Sequence, residues 1–427
     1  MSFFSQIKHS YASEFVKFSA VLLSSNAIAQ VIGFVVYPII TRLYDPDIFG
    51  TFNLFLSIVS ILTILTTGQY ELAIVLPESE KKATALFQLS LLLTVGVTLF
   101  FQIIISFFGK SIAALFHQEL LISLLPYLPF YLLLWGFWKT MNYYFTRQKR
   151  FYNISFYNIT QSITGSGMKC LLGFKGFLSL GLVWGQLIGQ FLATSISVIS
   201  GRSAFKNLKK WDKKEIVDVA KTYSNFPKYQ MFNSLLNTLA GNLPVLLLSL
   251  YFEMGKIGNF SLALALGLTP VMLFSKSVNQ VLFSKLSVNV QNRGKILSDC
   301  LMFGKMCLFF ILPFFIIFMF VPDNFFTILF GIKWIGVGFY FKCMLPWLFL
   351  VVLHASLDFI PDLFFKQKMA MNIEIFYVTI RIIALFLGIY LKNFELAVGL
   401  FCGVSALMMA VKLIWYFRIA KKYEYSL

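Results

Sequence analysis

Seven basic side chains lie inside long apolar runs: Lys139, Lys169, Lys276, Lys305, Lys342, Arg381 and Lys412. A charge at the centre of a bilayer costs roughly 2.5–3.5 kcal/mol on insertion scales, so a cation retained there has either a partner or a use. Lys139 and Lys412 stand near the inner ends of their runs and Lys342 near an outer end. Their long stems can carry the ammonium to water, and the three read as structural. Lys169, Lys276, Lys305 and Arg381 lie deeper, Lys276 and Arg381 most centrally. For these four, anion binding and helix pairing are both open. His354 and Asp358 are four residues apart, which on a helix places them on one face. An imidazole beside a buried carboxylate can move protons; a plain counter-charge to a buried cation is the other reading of Asp358.

Other patterns carry less. Asp45-Pro46-Asp47 matches the D-x-D with which some glycosyltransferases hold a metal and a sugar nucleotide. It falls in a short loop before an apolar run, where Asp45 suits a helix N-cap, Pro46 the first helical position and Asp47 the positive end of the helix. H-E-x-x-H, G-x-S-x-G and Walker A patterns are absent, and no soluble stretch is long enough for a catalytic domain. The expectation is a protein that is not an enzyme, uses no cofactor and is not driven by ATP within this chain. Cys170, Cys300, Cys307, Cys343 and Cys402 all sit in apolar segments without metal-ligand spacing, so neither a metal site nor a disulfide framework is expected.

The elements that must position these groups follow from composition. Of 427 residues, 58% are hydrophobic, 13% are charged and 50 are Phe. Mean hydropathy is +0.78. Soluble domains carry about a quarter charged residues, and only lipid-facing helices need this much apolar side chain. At 1.5 Å per residue, runs of about 20 residues span a bilayer. They are expected near 18–40, 51–70, 84–108, 121–143, 155–174 and 179–200, then near 229–251, 259–283, 300–321, 339–364, 373–391 and 395–416. The fifth is polar for a lipid-facing helix, with Asn158, Gln161, Ser162, Thr164 and Ser166, so it is expected to face protein or water. Lys8, Glu14 and Lys17 precede the first run, which reads as a permanent span rather than a cleaved signal.

Charge placement sets the orientation. The net charge is +18, but the basic residues cluster between apolar runs, as topology signals do, and no nucleic-acid partner is expected. With the N-terminus inside, inner segments hold 23 Lys and Arg and outer loops hold six (Arg42, Lys110, Lys175, Lys256, Lys333 and Lys392). Both termini are therefore expected in the cytoplasm. The basic stretch 201–228 divides the chain into a lobe at 1–200, a linker and a lobe at 229–427. Short likenesses support a repeat: Gly50-Thr51-Phe52-Asn53-Leu54 against Gly258-Asn259-Phe260-Ser261-Leu262, with Leu43-Tyr44 and Leu250-Tyr251, and Pro38 and Pro244, before them. Six spans per half is even, so the repeats would run parallel. The fold class expected is all-α integral membrane, about twelve spans in two parallel six-helix lobes around a central cavity.

The stretch PIITRLYDPDIFGTFNLFLSI, followed by YELAIVLPESEKKA, resembles the bacterial lipid-linked oligosaccharide flippases. These are the Wzx-type O-antigen and polysaccharide exporters of the multidrug/oligosaccharidyl-lipid/polysaccharide exporter superfamily. The likeness covers roughly the first 85 residues; beyond it, span count, orientation and two-lobe organisation agree. The resemblance implies a cation-lined cavity opening alternately to each side of the bacterial inner membrane. It implies, as substrate, an oligosaccharide on undecaprenyl diphosphate moved from the inner to the outer leaflet. Arg42, Tyr70 and Glu71 fall in the family-like stretch, and Lys276 falls in the eighth span, which helps line the cavity in this superfamily. The expected substrate cations are thus Lys276, Arg381, Lys169, Lys305 and Arg42, and the expected coupling groups for a proton or sodium ion are Asp358, His354 and Glu71. Partners would be the lipid-linked oligosaccharide, membrane lipids and a downstream polysaccharide polymerase. A drug or small-solute antiporter of the same fold would favour an acidic cavity. A membrane polymerase would carry a longer outer loop than the twenty or so residues found here.

Overall fold

The computed structural model describes residues 3–202, 212–291, 296–364 and 366–425; at 3–20, 23, 280, 281, 284, 287–291 and 425 it describes backbone alone. Three basic residues of the expected linker, Lys206, Lys209 and Lys210, lie outside the described residues. Every regular element among the described residues is helical. Among the described residues ten helices are long and apolar enough to cross a membrane. Two more, Pro46–Leu62 and Phe151–Phe174, hold the places expected of the second and fifth spans. The protein is a multi-pass membrane protein, and each expected span lies mainly on helix. In the second, 51–70, however, the α-helix stops at Leu62 with turns at 63–69, and the tenth, 339–364, breaks at 357–359.

The chain divides into two compact units, Met1–Leu246 and Leu247–Leu427. The first contains α1 (Phe3–Leu43), α2 (Pro46–Leu62), α3 (Glu80–Leu115), α4 (Leu128–Arg147), α5 (Phe151–Phe174), α6 (Gly181–Ser200) and α7 (Lys213–Thr222). The division falls inside α8 (Met231–Ser249). The second contains α9 (Met254–Gln291), α10 (Leu297–Met306), α11 (Leu312–Phe320), α12 (Val337–Ser356), α13 (Gln367–Tyr390) and α14 (Phe394–Tyr425).

Local chemistry accounts for the helix starts. Asp45 takes the N-cap of α2 with Pro46 opening the helix and Asp47 in its first turn, as a structural reading of the D-x-D requires. The two stretches that are alike in sequence can be compared side by side. Thr51 Oγ1 donates to the Asp47 carbonyl at 2.9 Å, and Asn259 Nδ2, at the aligned position, donates to the Gly255 carbonyl at 3.0 Å. The aligned Phe52 and Phe260, and Leu54 and Leu262, are all buried.

Within the first unit, α5 packs between α1 and α6. Its polar side chains, costly against lipid, bond α1 instead. Asn158 Nδ2 donates to Asn26 Oδ1 at 2.8 Å and Ser162 Oγ to the Ala29 carbonyl at 2.6 Å. The opposite face meets α6 so closely that a Cβ at Gly189 would stand 2.5 Å from Gly165 Cα, the small-residue contact by which membrane helices approach. In the second unit α9 packs on α12, and α14 packs on both α12 and α13. Gly388 of α13 lies against the backbone of Ala397 on α14 in the same manner.

Candidate functional site

The YELAIVLPESEKK stretch folds as a 3-10 turn, Tyr70–Val75, leading into α3. Glu71 is wholly buried, and Lys139 Nζ of α4 stands 3.1 Å from its Oε1. That approach is electrostatic, since neither carboxylate oxygen completes a hydrogen bond. Lys139 therefore turns inward to an ion partner rather than outward to water. Arg147, the last residue of α4, clasps the loop: its Nη1 donates to the Pro77 carbonyl at 2.6 Å and its Nη2 to Glu80 Oε1 at 2.8 Å. Tyr70 OH donates to the Ala220 carbonyl of α7 at 3.0 Å. Lys81 Nζ lies 2.9 Å from both Asp212 and Glu215, and Lys82 Nζ 3.9 Å from Asp218. Asp212 caps α7 by accepting from the Lys214 and Glu215 amides at 3.1 and 3.3 Å. Lys81, and then the Glu215 amide, hold the Asp212 carboxyl below the usual range. Ile216 and Val219 seal α7 into the core of the unit. The family-like stretch is thus a clamp that fixes α3, α4 and α7 together.

Lys169 is held inside the first unit. Its Nζ donates to Gln186 Oε1 of α6 at 2.5 Å and lies 5.2 Å from the centre of the Phe52 ring. Tyr44 OH donates to its carbonyl at 2.7 Å. Gln186 also reaches Tyr131 OH of α4 at 3.5 Å. Arg42 stands exposed in the last turn of α1.

In the second unit Arg381 is 7% exposed. Its guanidinium carbon lies 4.2, 4.9 and 5.8 Å from the ring centres of Phe401, Tyr377 and Trp347. The depth expected of Arg381 is found, but its surroundings are an aromatic box of its own unit, where π faces replace water around the cation. Lys412 Nζ bonds Glu374 Oε2 directly and lies 4.5 Å from the Tyr377 ring centre. Lys412 is thus a paired interior cation, not one extended to water.

The expected His354–Asp358 face is not formed. α12 ends at Ser356, and Leu357 N–H closes a turn on the His354 carbonyl at 3.0 Å, so the helical spacing stops before Asp358. His354 Nε2 instead meets Tyr416 OH of α14 at 3.0 Å. Asp358 Oδ1 accepts from Asn279 Nδ2 of α9 at 2.6 Å, and the same amide reaches the Ala355 carbonyl at 3.1 Å. Lys276 is exposed near the middle of α9, while its neighbour Ser275 is buried against α12 with Oγ 3.4 Å from the Val352 carbonyl. Among the described residues Lys276 and Lys305 have no partner side chain, and both are exposed.

Glu374, Gln186 and the Trp347–Tyr377 rings were missed as partners. Glu374 carried a signal: a carboxylate seven residues before Arg381 in an apolar run needs a cation. The rings carried none, because aromatic residues are everywhere in this chain. No group of His, Cys, Asp and Glu side chains that could hold a metal occurs among the described residues.

Residues 39–339 match a family model described as "Polysaccharide biosynthesis protein". The teichuronic acid biosynthesis protein TuaB of Bacillus subtilis (strain 168) is 24% identical over 260 residues, 60% of this chain, and the match spans about half (52%) of that protein. Among solved structures, lipid II flippase MurJ in an inward closed conformation is similar with a TM-score of 0.69 and 16% identity, over 96% of this chain and 90% of that one. An inward-facing multidrug resistance MATE family transporter of the MOP superfamily gives a TM-score of 0.67 and 12% identity, over 95% of this chain and 98% of that one. At such identities the structures speak for the fold, which is that of these transporters. The resemblance read from the first 85 residues is borne out by a match that extends to residue 339.

Proposed function

As the chain belongs to the polysaccharide biosynthesis protein family, we propose that it is a flippase carrying an undecaprenyl-diphosphate-linked oligosaccharide from the inner to the outer leaflet of the bacterial inner membrane. The observation that carries this reading is Lys276, an ammonium that has no partner among the described residues and is exposed on α9 at the edge of the contact that Ser275 and Asn279 make with α12. A diphosphate cannot cross hydrocarbon with its charge uncompensated. Exposed fixed cations in a wet passage replace its hydration, and Lys276, Lys305 and Arg42 are exposed where Lys169 and Arg381 are enclosed. Each of the first three is therefore a proposed diphosphate contact, whereas Lys169 and Arg381 are occupied within their own units. Asp358 is the proposed coupling carboxylate, since it is tied to Asn279, three residues from Lys276 on α9. Both termini lie in the cytoplasm on this reading, and a polysaccharide polymerase receives the product.

Proteoliposomes holding a fluorescent undecaprenyl-diphosphate oligosaccharide test it. Lys276→Ala should slow arrival in the opposite leaflet about tenfold or more, the worth of one charge-assisted contact. Lys276→Arg should keep part of the rate, because charge survives while geometry changes. A Lys276→Ala, Lys305→Ala double variant with the wild-type rate refutes the assignment.

A further inference from the structure

Four buried groups of neighbouring side chains in the second unit have no hydrogen-bond partner among the described residues. They are Arg381 Nε on α13, Trp347 Nε1 on α12, Tyr377 OH on α13 and Ser405 Oγ on α14. Their residues are 7, 5, 2 and 0% exposed. Tyr377 faces Ser405 and Trp347 without closing a bond to either. Phe401, one turn before Ser405, closes the guanidinium face at 4.2 Å.

The chemistry of this cluster is one-sided. An indole N–H and a guanidinium can only donate, and the two hydroxyls can donate as well as accept. Four donor groups are therefore buried in one neighbourhood where acceptors are scarce, and each orphaned one costs stability. The charge is one-sided too. Glu374, two turns before Arg381 on the same face of α13, is already bonded by Lys412, so these three groups together leave one positive charge in excess. A cation–π box offsets part of that, but leaves the in-plane N–H group unmet. A buried unpaired charge is among the costliest features of an interior. We propose that this cluster is a binding site for a small monovalent inorganic anion of the halide class, chloride being the abundant one. The enclosure rules out a substituted phosphate, and one guanidinium matches one negative charge. The bound anion joins α12, α13 and α14 from within and is distinct from the substrate contacts proposed above.

The test uses the full chain, purified in detergent with gluconate as the sole anion and then titrated with chloride or bromide. Chloride should raise the melting temperature saturably by about 2 °C or more, with gluconate at equal ionic strength giving no rise. Crystals grown in bromide should show anomalous density between Arg381, Trp347 and Tyr377. Trp347→Phe, which keeps the ring and removes one donor, should weaken the halide midpoint about fivefold or more, and Arg381→Met should abolish the effect. Should Arg381→Met fail to fold, Trp347→Phe alone decides. An equal shift with gluconate, a chloride shift undiminished in Trp347→Phe, or a cluster filled by water with bromide bound only elsewhere would each overturn the proposal.

Discussion

The two units bury charge by different means. In the first, each interior cation meets a polar side chain: Lys139 stands against Glu71, and Lys169 donates to Gln186. In the second, Lys412 has Glu374, but Arg381 is surrounded by Phe401, Tyr377 and Trp347. A carboxylate partner makes the pair interdependent, because removing one member strands the other. Aromatic faces make the cation's surroundings tolerant, because a ring lost is one contact among several. The comparison teaches that the depth of a charge says little about its exposure to substrate; the identity of its neighbours decides that.

The largest effect should come from breaking the first unit's pair. Lys139→Met leaves Glu71 wholly buried without a cation, and should lower stability by about 3–5 kcal/mol in detergent unfolding. Lys139→Met with Glu71→Gln removes both charges and should recover most of that loss. No recovery would mean that the two residues act separately.

Helix contact comes next. Gly189→Ala puts a Cβ 2.5 Å from Gly165 Cα and should cost about 1–3 kcal/mol. Gly165→Ala meets nothing closer than the Gly185 carbonyl at 3.7 Å, an ordinary contact, and should be tolerated. Equal melting temperatures for the two variants would show that α5 and α6 are not pressed together as described.

A smaller change is expected in the second unit. Phe401→Leu keeps apolar volume but removes the ring nearest Arg381, and should cost about 0.5–2 kcal/mol. A loss as large as that of Lys139→Met would erase the distinction between the units.

The smallest effect belongs to α7. The Asp212 carboxyl is held below its unfolded value, so its contribution is fully present above the unfolded pKa and is lost as pH falls through the folded one. Amide protection across 212–222, taken relative to the intrinsic exchange rate at each pH, should therefore be high at neutral pH and fall in acid. In Lys81→Ala the protection should already be lowered at neutral pH, and its acid dependence should shift toward that of a free carboxylate. The pairs are exposed, so global stability should barely move.

Much of this was readable from residue order. The twelve expected spans lie mainly on helices because bilayer thickness imposes length and apolarity locally, although the second stops short at Leu62 and the tenth breaks at 357–359. The polar fifth span was expected to avoid lipid, and α5 is lodged between α1 and α6. Asp45-Pro46-Asp47 was legible as a helix start because capping is a matter of adjacent residues.

Pairings were not legible. The spacing of His354 and Asp358 assumes a continuing helix, and α12 stops at Ser356, sending one to Tyr416 and the other to Asn279. Lys139 and Lys412 look free to reach water until Glu71 and Glu374 arrive from elsewhere in the chain. Sequence by itself determined membrane class, span placement, helix starts and family, since each depends on hydropathy, neighbouring residues or motif. Only the tertiary structure decided which cations are paired, boxed or exposed, because those states arise from side chains tens to hundreds of residues apart meeting in a medium where no water competes.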